Sequence, residues 1–170
     1  MLIGENHPEG TGVKATVVYY TRFGHNAVIA RAIAEKLAAG LERIETTRQY
    51  GFAQMGMRSF LNLDMRLRPM RTDFREDELL VLCTPIWAWK PASPARTFLK
   101  RAHLPPRLAV CFSTGGGPTL RAQEKLDQLL AGRGVAVTAF GEIDSRVGEE
   151  ELRARACEFA DRLGAVASGR

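Results

Sequence analysis

The stretch KATVVYYTRFGHNAVIARAIAEKL, Lys14 to Leu37, carries the pattern from which the fold is read. Its first seven residues, Lys14–Tyr20, are mostly β-branched or aromatic and nearly unbroken, which suits a strand buried on both faces. From Ala27 to Ala38 the period changes. Ala30, Ile33, Ala34 and Leu37 fall at i, i+3, i+4 and i+7 and make one apolar helix face. Gly40 is expected to end that helix. The intervening TRFGHN joins strand to helix. Thr21 offers a hydroxyl, Gly24 lets backbone approach a ligand, and Asn26 can cap the helix, whose free N–H groups attract an anion. A turn that only connects explains the same residues equally well.

The alternation repeats outward from there. Strands are expected at Leu41–Thr46, Glu78–Cys83, Arg107–Phe112 and Val135–Phe140. Helices are expected at Pro94–Arg101, Thr119–Leu130 and Glu149–Leu163. In the second of these Ala122, Leu126, Leu129 and Leu130 share a side, and Gly132 and Gly134 bracket its end. In the last, Leu152, Ala156, Phe159, Ala160 and Leu163 align. Strands alternating with helices imply an α/β, doubly wound five-stranded parallel sheet flanked by helices. Residues 1–12 read as a polar, flexible lead-in and 13–170 as one domain.

Composition narrows the function. The 170 residues are 45% hydrophobic and 25% charged, ordinary for a soluble domain. No apolar run reaches membrane-spanning length, and the N-terminus lacks a secretory pattern. The net charge of +5 weakly favours anionic ligands. No aromatic–basic motif accompanies it, so nucleic acid is not an expected partner. Cys83, Cys111 and Cys157 form no CxxC pair, which argues against a disulfide framework or zinc site and fits a reducing cytoplasm. His7, His25 and His103 are too scattered to suggest a metal cluster.

In open parallel sheets ligands bind beyond the carboxyl ends of the strands. Three loops fall there. The first is Thr21, Arg22, Phe23, Gly24, His25 and Asn26. The second is Thr84, Pro85, Ile86, Trp87, Ala88, Trp89 and Lys90, closed by Pro91. It holds both tryptophans of the chain, which suit a planar ligand, a self-packed loop or a subunit contact. The third is Ser113, Thr114, Gly115, Gly116 and Gly117, followed by Pro118, where bare backbone can reach a ligand edge. GGGP matches neither GxGxxG nor GxxxxGK[ST], so a dinucleotide fingerprint and a P-loop are both unsupported. No acidic cluster ends the first strand, which argues against a phosphoacceptor receiver domain. Together the loops offer a phosphate site, an aromatic face and bare backbone, a set that suits FMN.

CTPIWAWKPASPARTFLKR, Cys83 to Arg101, resembles the second flavin loop of the flavodoxin-like family, a TP-aromatic segment running into a TFL helix. STGGG resembles the family's third loop, and TRFGHN stands where it carries its phosphate loop. The resemblance runs from about Lys14 to the last helix and implies strand order 2-1-3-4-5. Two positions depart from the family: Phe23 and Asn26 stand where threonines are usual. By resemblance, Thr21 to Asn26 hold the FMN phosphate. Thr84 to Lys90 lie along the ring, with Trp87 or Trp89 stacking, and Ser113 to Gly117 meet its far edge. Lys90 and Arg22 would bring positive charge and favour two-electron reduction of the flavin.

The implied function is an FMN-binding oxidoreductase that reduces a quinone or similar acceptor with NAD(P)H. The alternatives are an electron carrier serving a redox partner protein, for which a pI of 9.4 is atypical of the family, and a flavin-free module. A homodimer is compatible with each. Between the second and third strands, Tyr50–Arg71 holds four of the five methionines. It reads as an amphipathic helix covering the sheet, or as a basic, Met-rich surface for a substrate, a subunit or lipid headgroups.

Overall fold

The computed structural model describes residues 13–167; the expected lead-in at 1–12 lies outside them. The elements are β1 Ala15–Tyr19, α1 His25–Leu37, β2 Gly40–Arg43, α2 Phe52–Phe60, β3 Leu79–Trp87 and β4 Lys90–Pro91. They continue with α3 Ser93–Arg101, β5 Arg107–Thr114, α4 Leu120–Leu130, β6 Ala136–Asp144 and α5 Glu149–Ala167. Five strands are parallel in the order β2-β1-β3-β5-β6, and the short β4 pairs antiparallel with β3. Counting the parallel strands alone, this is the expected 2-1-3-4-5.

The unbroken apolar runs are explained by burial on both faces. Val17 and Tyr19 of β1, Val81 and Cys83 of β3, and Ala109 and Cys111 of β5 pack toward α1 and α5. Their neighbours Val18, Leu80, Leu82, Leu108, Val110 and Phe112 pack toward α3, α4, Met55 and Met65. Each strand therefore feeds two cores by simple alternation. Cys83 and Cys111 are register partners and fully buried. The neighbouring Cys111 thiol, together with burial, pushes the Cys83 thiol well up; by burial both cysteines are small core residues.

Three local readings need correction. The first is the end of α1: Ala38 takes the left-handed conformation (φ 49°) and its N–H reaches back to the helix, while Gly40 already pairs with Thr16 in the sheet. The second is the tryptophan loop, which is a hairpin. β3 runs on through Trp87, pairs with Lys90 and Pro91, and turns on Ala88 and Trp89. Both turn residues have positive φ, 49° and 58°, the geometry of a two-residue primed turn. Glycine or asparagine normally marks such a turn, so Ala-Trp gave no signal. Each left-handed non-glycine residue costs on the order of 1–3 kcal/mol.

The third is the last strand, which continues past Phe140 to Asp144, pairing Asp144 with Thr114. It lies at the sheet edge, where Gly141-Glu142-Ile143-Asp144 alternate between buried and more exposed instead of forming an apolar run. In the Tyr50–Arg71 segment only Phe52–Phe60 is helical, with just Met55 and Ser59 of that helix buried.

Candidate functional site

The carboxyl ends of β1, β3 and β5 bring the three loops together. The Asn26 side-chain amide donates to Ser113 Oγ at 2.7 Å, tying the start of α1 to the end of β5. Tyr20 joins the first two loops: its N–H donates to Cys83 O and its ring meets Trp87 edge-on, centroids 5.4 Å apart. Burial pushes the Tyr20 phenol up, against the nearby Arg22 and Arg43 charges.

In the first loop Gly24, not Asn26, holds the helix-capping position, with φ 94°. A residue with a side chain would be strained there. The Gly24 N–H donates to Thr21 Oγ1 at 2.9 Å, and Gly24 O accepts from Ala27 and Val28. Among the described residues, the backbone N–H groups of Arg22, Phe23, His25 and Asn26 find no acceptor. They lie at the positive end of the α1 dipole. Phe23 is 72% exposed, beside the Arg22 guanidinium. Arg22 itself turns away toward α2, donating to Tyr50 O at 3.1 Å and contacting Met55 Sδ. Asn26 is buried and its Oδ1 has no partner among the described residues, an unmet acceptor at the base of the loop.

The hairpin separates the two tryptophans. Trp87 is half-buried against Tyr20, while Trp89 at the tip is 57% exposed, with the Arg121 guanidinium of α4 5.3 Å from its ring centre. Thr84 is fully buried, and its hydroxyl donates to Pro85 O. Pro85, Ile86 and Ala88 are half-buried in the hairpin. The Lys90 ammonium donates to Asn62 Oδ1 at 2.8 Å and to Phe60 O at 3.3 Å, at the negative end of α2. Burial and the nearby Arg96 pull its pKa down.

In the third loop Ser113 is buried, Thr114 Oγ1 accepts from Gly116 N–H, and Gly115, Gly116 and Gly117 are exposed. Added Cβ atoms at Gly24, Gly115 and Gly117 would meet nothing within 4 Å, so these backbones border open space. At Gly116 a Cβ would strike the Arg146 guanidinium.

A fourth loop, after β6, completes the rim, and the sequence pattern did not single it out. Ser145 donates through N–H and hydroxyl to Thr114 O. Arg146 forks onto Asp144, and its hydrogen bonds hold the Asp144 carboxyl down at about 2. The DSR triplet, with its short-range carboxylate–arginine pair, was the available signal; ending the strand at Phe140 hid it. Arg121 gave none, because its role depends on where the hairpin places Trp89.

Neither a family model nor a curated protein sequence matches this chain. Solved structures do. A candidate flavoprotein of Bacteroides uniformis superposes with a TM-score of 0.72 at 15% identity, over 85% of this chain and 97% of that one. A flavoprotein of Lactobacillus acidophilus, solved in complex with FMN, gives 0.64 at 16%, over 79% and 96%. A WrbA-like flavodoxin of Agrobacterium tumefaciens gives 0.61 at 16%, over 92% and 98%. The fold of this chain is flavodoxin-like.

Proposed function

We propose that this chain is an FMN-dependent oxidoreductase, passing electrons from NAD(P)H to a quinone or similar flat acceptor. One observation carries the reading: unpaired helix-start N–H groups, an exposed indole and glycine backbone bordering open space meet at one end of the sheet. These residues fit the parts of FMN. The N–H groups of Arg22, Phe23, His25 and Asn26 and the α1 dipole hold the phosphate, with the Thr21 hydroxyl free to donate. Phe23 removes a hydroxyl from this cradle without filling it, because its ring points to solvent. Trp89 offers the stacking face, and Ser113 to Gly117 offer N–H and C=O to the polar edge. FMN supplies the electron-carrying ring. The protein's part is to bind it, shield one face and set the charge around it through Arg121 and Arg146.

Purified protein is expected to quench FMN fluorescence on titration, and the loaded protein to oxidise NAD(P)H when a quinone is present. FMN binding without turnover would instead favour a carrier that needs a separate reductase. No binding would favour a flavin-free module, the reading that Phe23 and Asn26 support.

A further inference from the structure

The outer face of α2 is apolar where a surface helix is normally polar. Phe52, Gly56 and Phe60 form one row at i, i+4 and i+8, and Ala53, Met57 and Leu61 form the next. All six are exposed; Phe52 is 76%, Met57 59% and Phe60 67% accessible. The helix turns only Met55 and Ser59 inward. The apolar side therefore points away from the molecule, and Leu63 extends it. Surface this apolar on one element marks an interaction site.

Charge identifies the occupant. From Arg48 to Arg71 the chain carries five arginines against one carboxylate, Asp64, a net of +4. Asp64 is already engaged by Lys100 at 2.6 Å. Among the described residues Arg48, Arg58 and Arg66 make no ion pair. A groove of about 580 Å³ runs between α2 and the preceding segment, with Ala53, Met57 and Leu63 in its walls and Arg48 and Arg58 beside them. A second copy is a poor match, because a two-fold contact would bring like-charged arginines together. Arg58 donates to Asp64 O and lies over the Tyr50 ring, yet no carboxylate neutralises it, and an apolar ridge flanked by guanidinium groups without carboxylate partners is complementary to acyl chains beneath anionic headgroups.

We propose that α2 docks this protein on an anionic lipid bilayer, with Phe52, Met57 and Phe60 entering the headgroup boundary and Arg48, Arg58 and Arg66 pairing with the headgroup anions. Docking is independent of the flavin reading, so apo and FMN-treated protein partition alike. The β3–β4 hairpin packs on the end of α2, where Ser59 Oγ donates to Trp87 O at 3.1 Å. Docking therefore brings the Trp89 rim close to the bilayer.

The test is co-sedimentation of the full chain with phosphatidylcholine vesicles, with and without phosphatidylglycerol. Binding is expected only with the anionic lipid, and is expected to fall as salt rises. Arg48→Gln or Arg66→Gln should each lower the partition coefficient about fivefold, while Arg75→Gln, at the opposite end of the sheet, should not. The double variant Phe52→Ser/Phe60→Ser removes exposed rings only; it should keep its circular dichroism and lose binding. Equal partition into neutral vesicles, no binding at all, or full binding by the double variant would each overturn the proposal. So would sedimentation equilibrium showing a dimer that Phe60→Ser dissolves, which would assign the face to a second copy.

Discussion

At the amino edge of the sheet, Asp77 is buried with every neighbour committed. Its carboxylate accepts from the Thr16 hydroxyl at 2.7 Å and from Arg71 at 3.1 Å. Arg71 also lies 4.4 Å from the Phe74 ring centre, and Phe74 packs edge-on against Phe98. At the carboxyl edge, among the described residues, four backbone N–H groups find no acceptor, Asn26 Oδ1 is buried without a partner, and the hairpin turns on two strained residues, Ala88 and Trp89. The same strands supply both edges. The contrast teaches that one edge is closed by mutual side-chain pairing, whereas the other leaves polar groups without protein partners beside a strained turn.

The largest effect should come from the closed edge. Phe74→Ala empties a fully buried ring site and is expected to cost about 3–5 kcal/mol, seen in chemical denaturation. FMN affinity of the folded fraction should not change. A shift in both would mean that the edges are not separate.

Trp89→Ala makes the reverse prediction. The ring is exposed, so stability should move by less than about 0.5 kcal/mol. Losing a stacking face should weaken FMN binding by about 1–3 kcal/mol. Trp87→Ala sharpens the comparison, because it removes the Tyr20 contact and should act mainly on stability.

Asp77→Ala strips the Thr16 hydroxyl of its acceptor and should cost about 1–3 kcal/mol; the urea midpoint reads this. The smallest effect is electrostatic. The Asp144 carboxyl lies below its ordinary 3.8, held at about 2 first by the Arg146 side chain and then by its N–H. A lowered folded pKa adds stability above pH 3.8, and this is lost as pH falls through about 2. Because the pair is exposed, the gain is small. Carbon NMR titration should show the Asp144 carboxyl rising toward 3.8 in Arg146→Ala.

What the sequence made legible follows from burial. β1, β3 and β5 are covered on both faces, so their apolar runs revealed the alternation and the parallel sheet. The three rim loops followed, because proximity to strand ends is a matter of topology. Geometry set without a side-chain signature stayed hidden. Ala88 and Trp89 turn left-handed with no glycine, so a hairpin read as a loop. Ala38 does the same at the end of α1, so Gly40 was given a role it does not have. Asn26 has the chemistry of a cap, yet its amide is drawn 87 positions along the chain to Ser113. Lys90 donates to Asn62 beyond the end of α2, and no local pattern announces a partner 28 residues away.

The measurement that bears most directly on the open edge is a titration of FMN with wild-type protein and Trp89→Ala, read by flavin fluorescence. Saturable quenching by the wild type, with affinity at least about fivefold weaker in the variant, is the expected result. Absence of quenching, or equal affinity in both proteins, would contradict a flavin site built on the α1 start and the Trp89 hairpin.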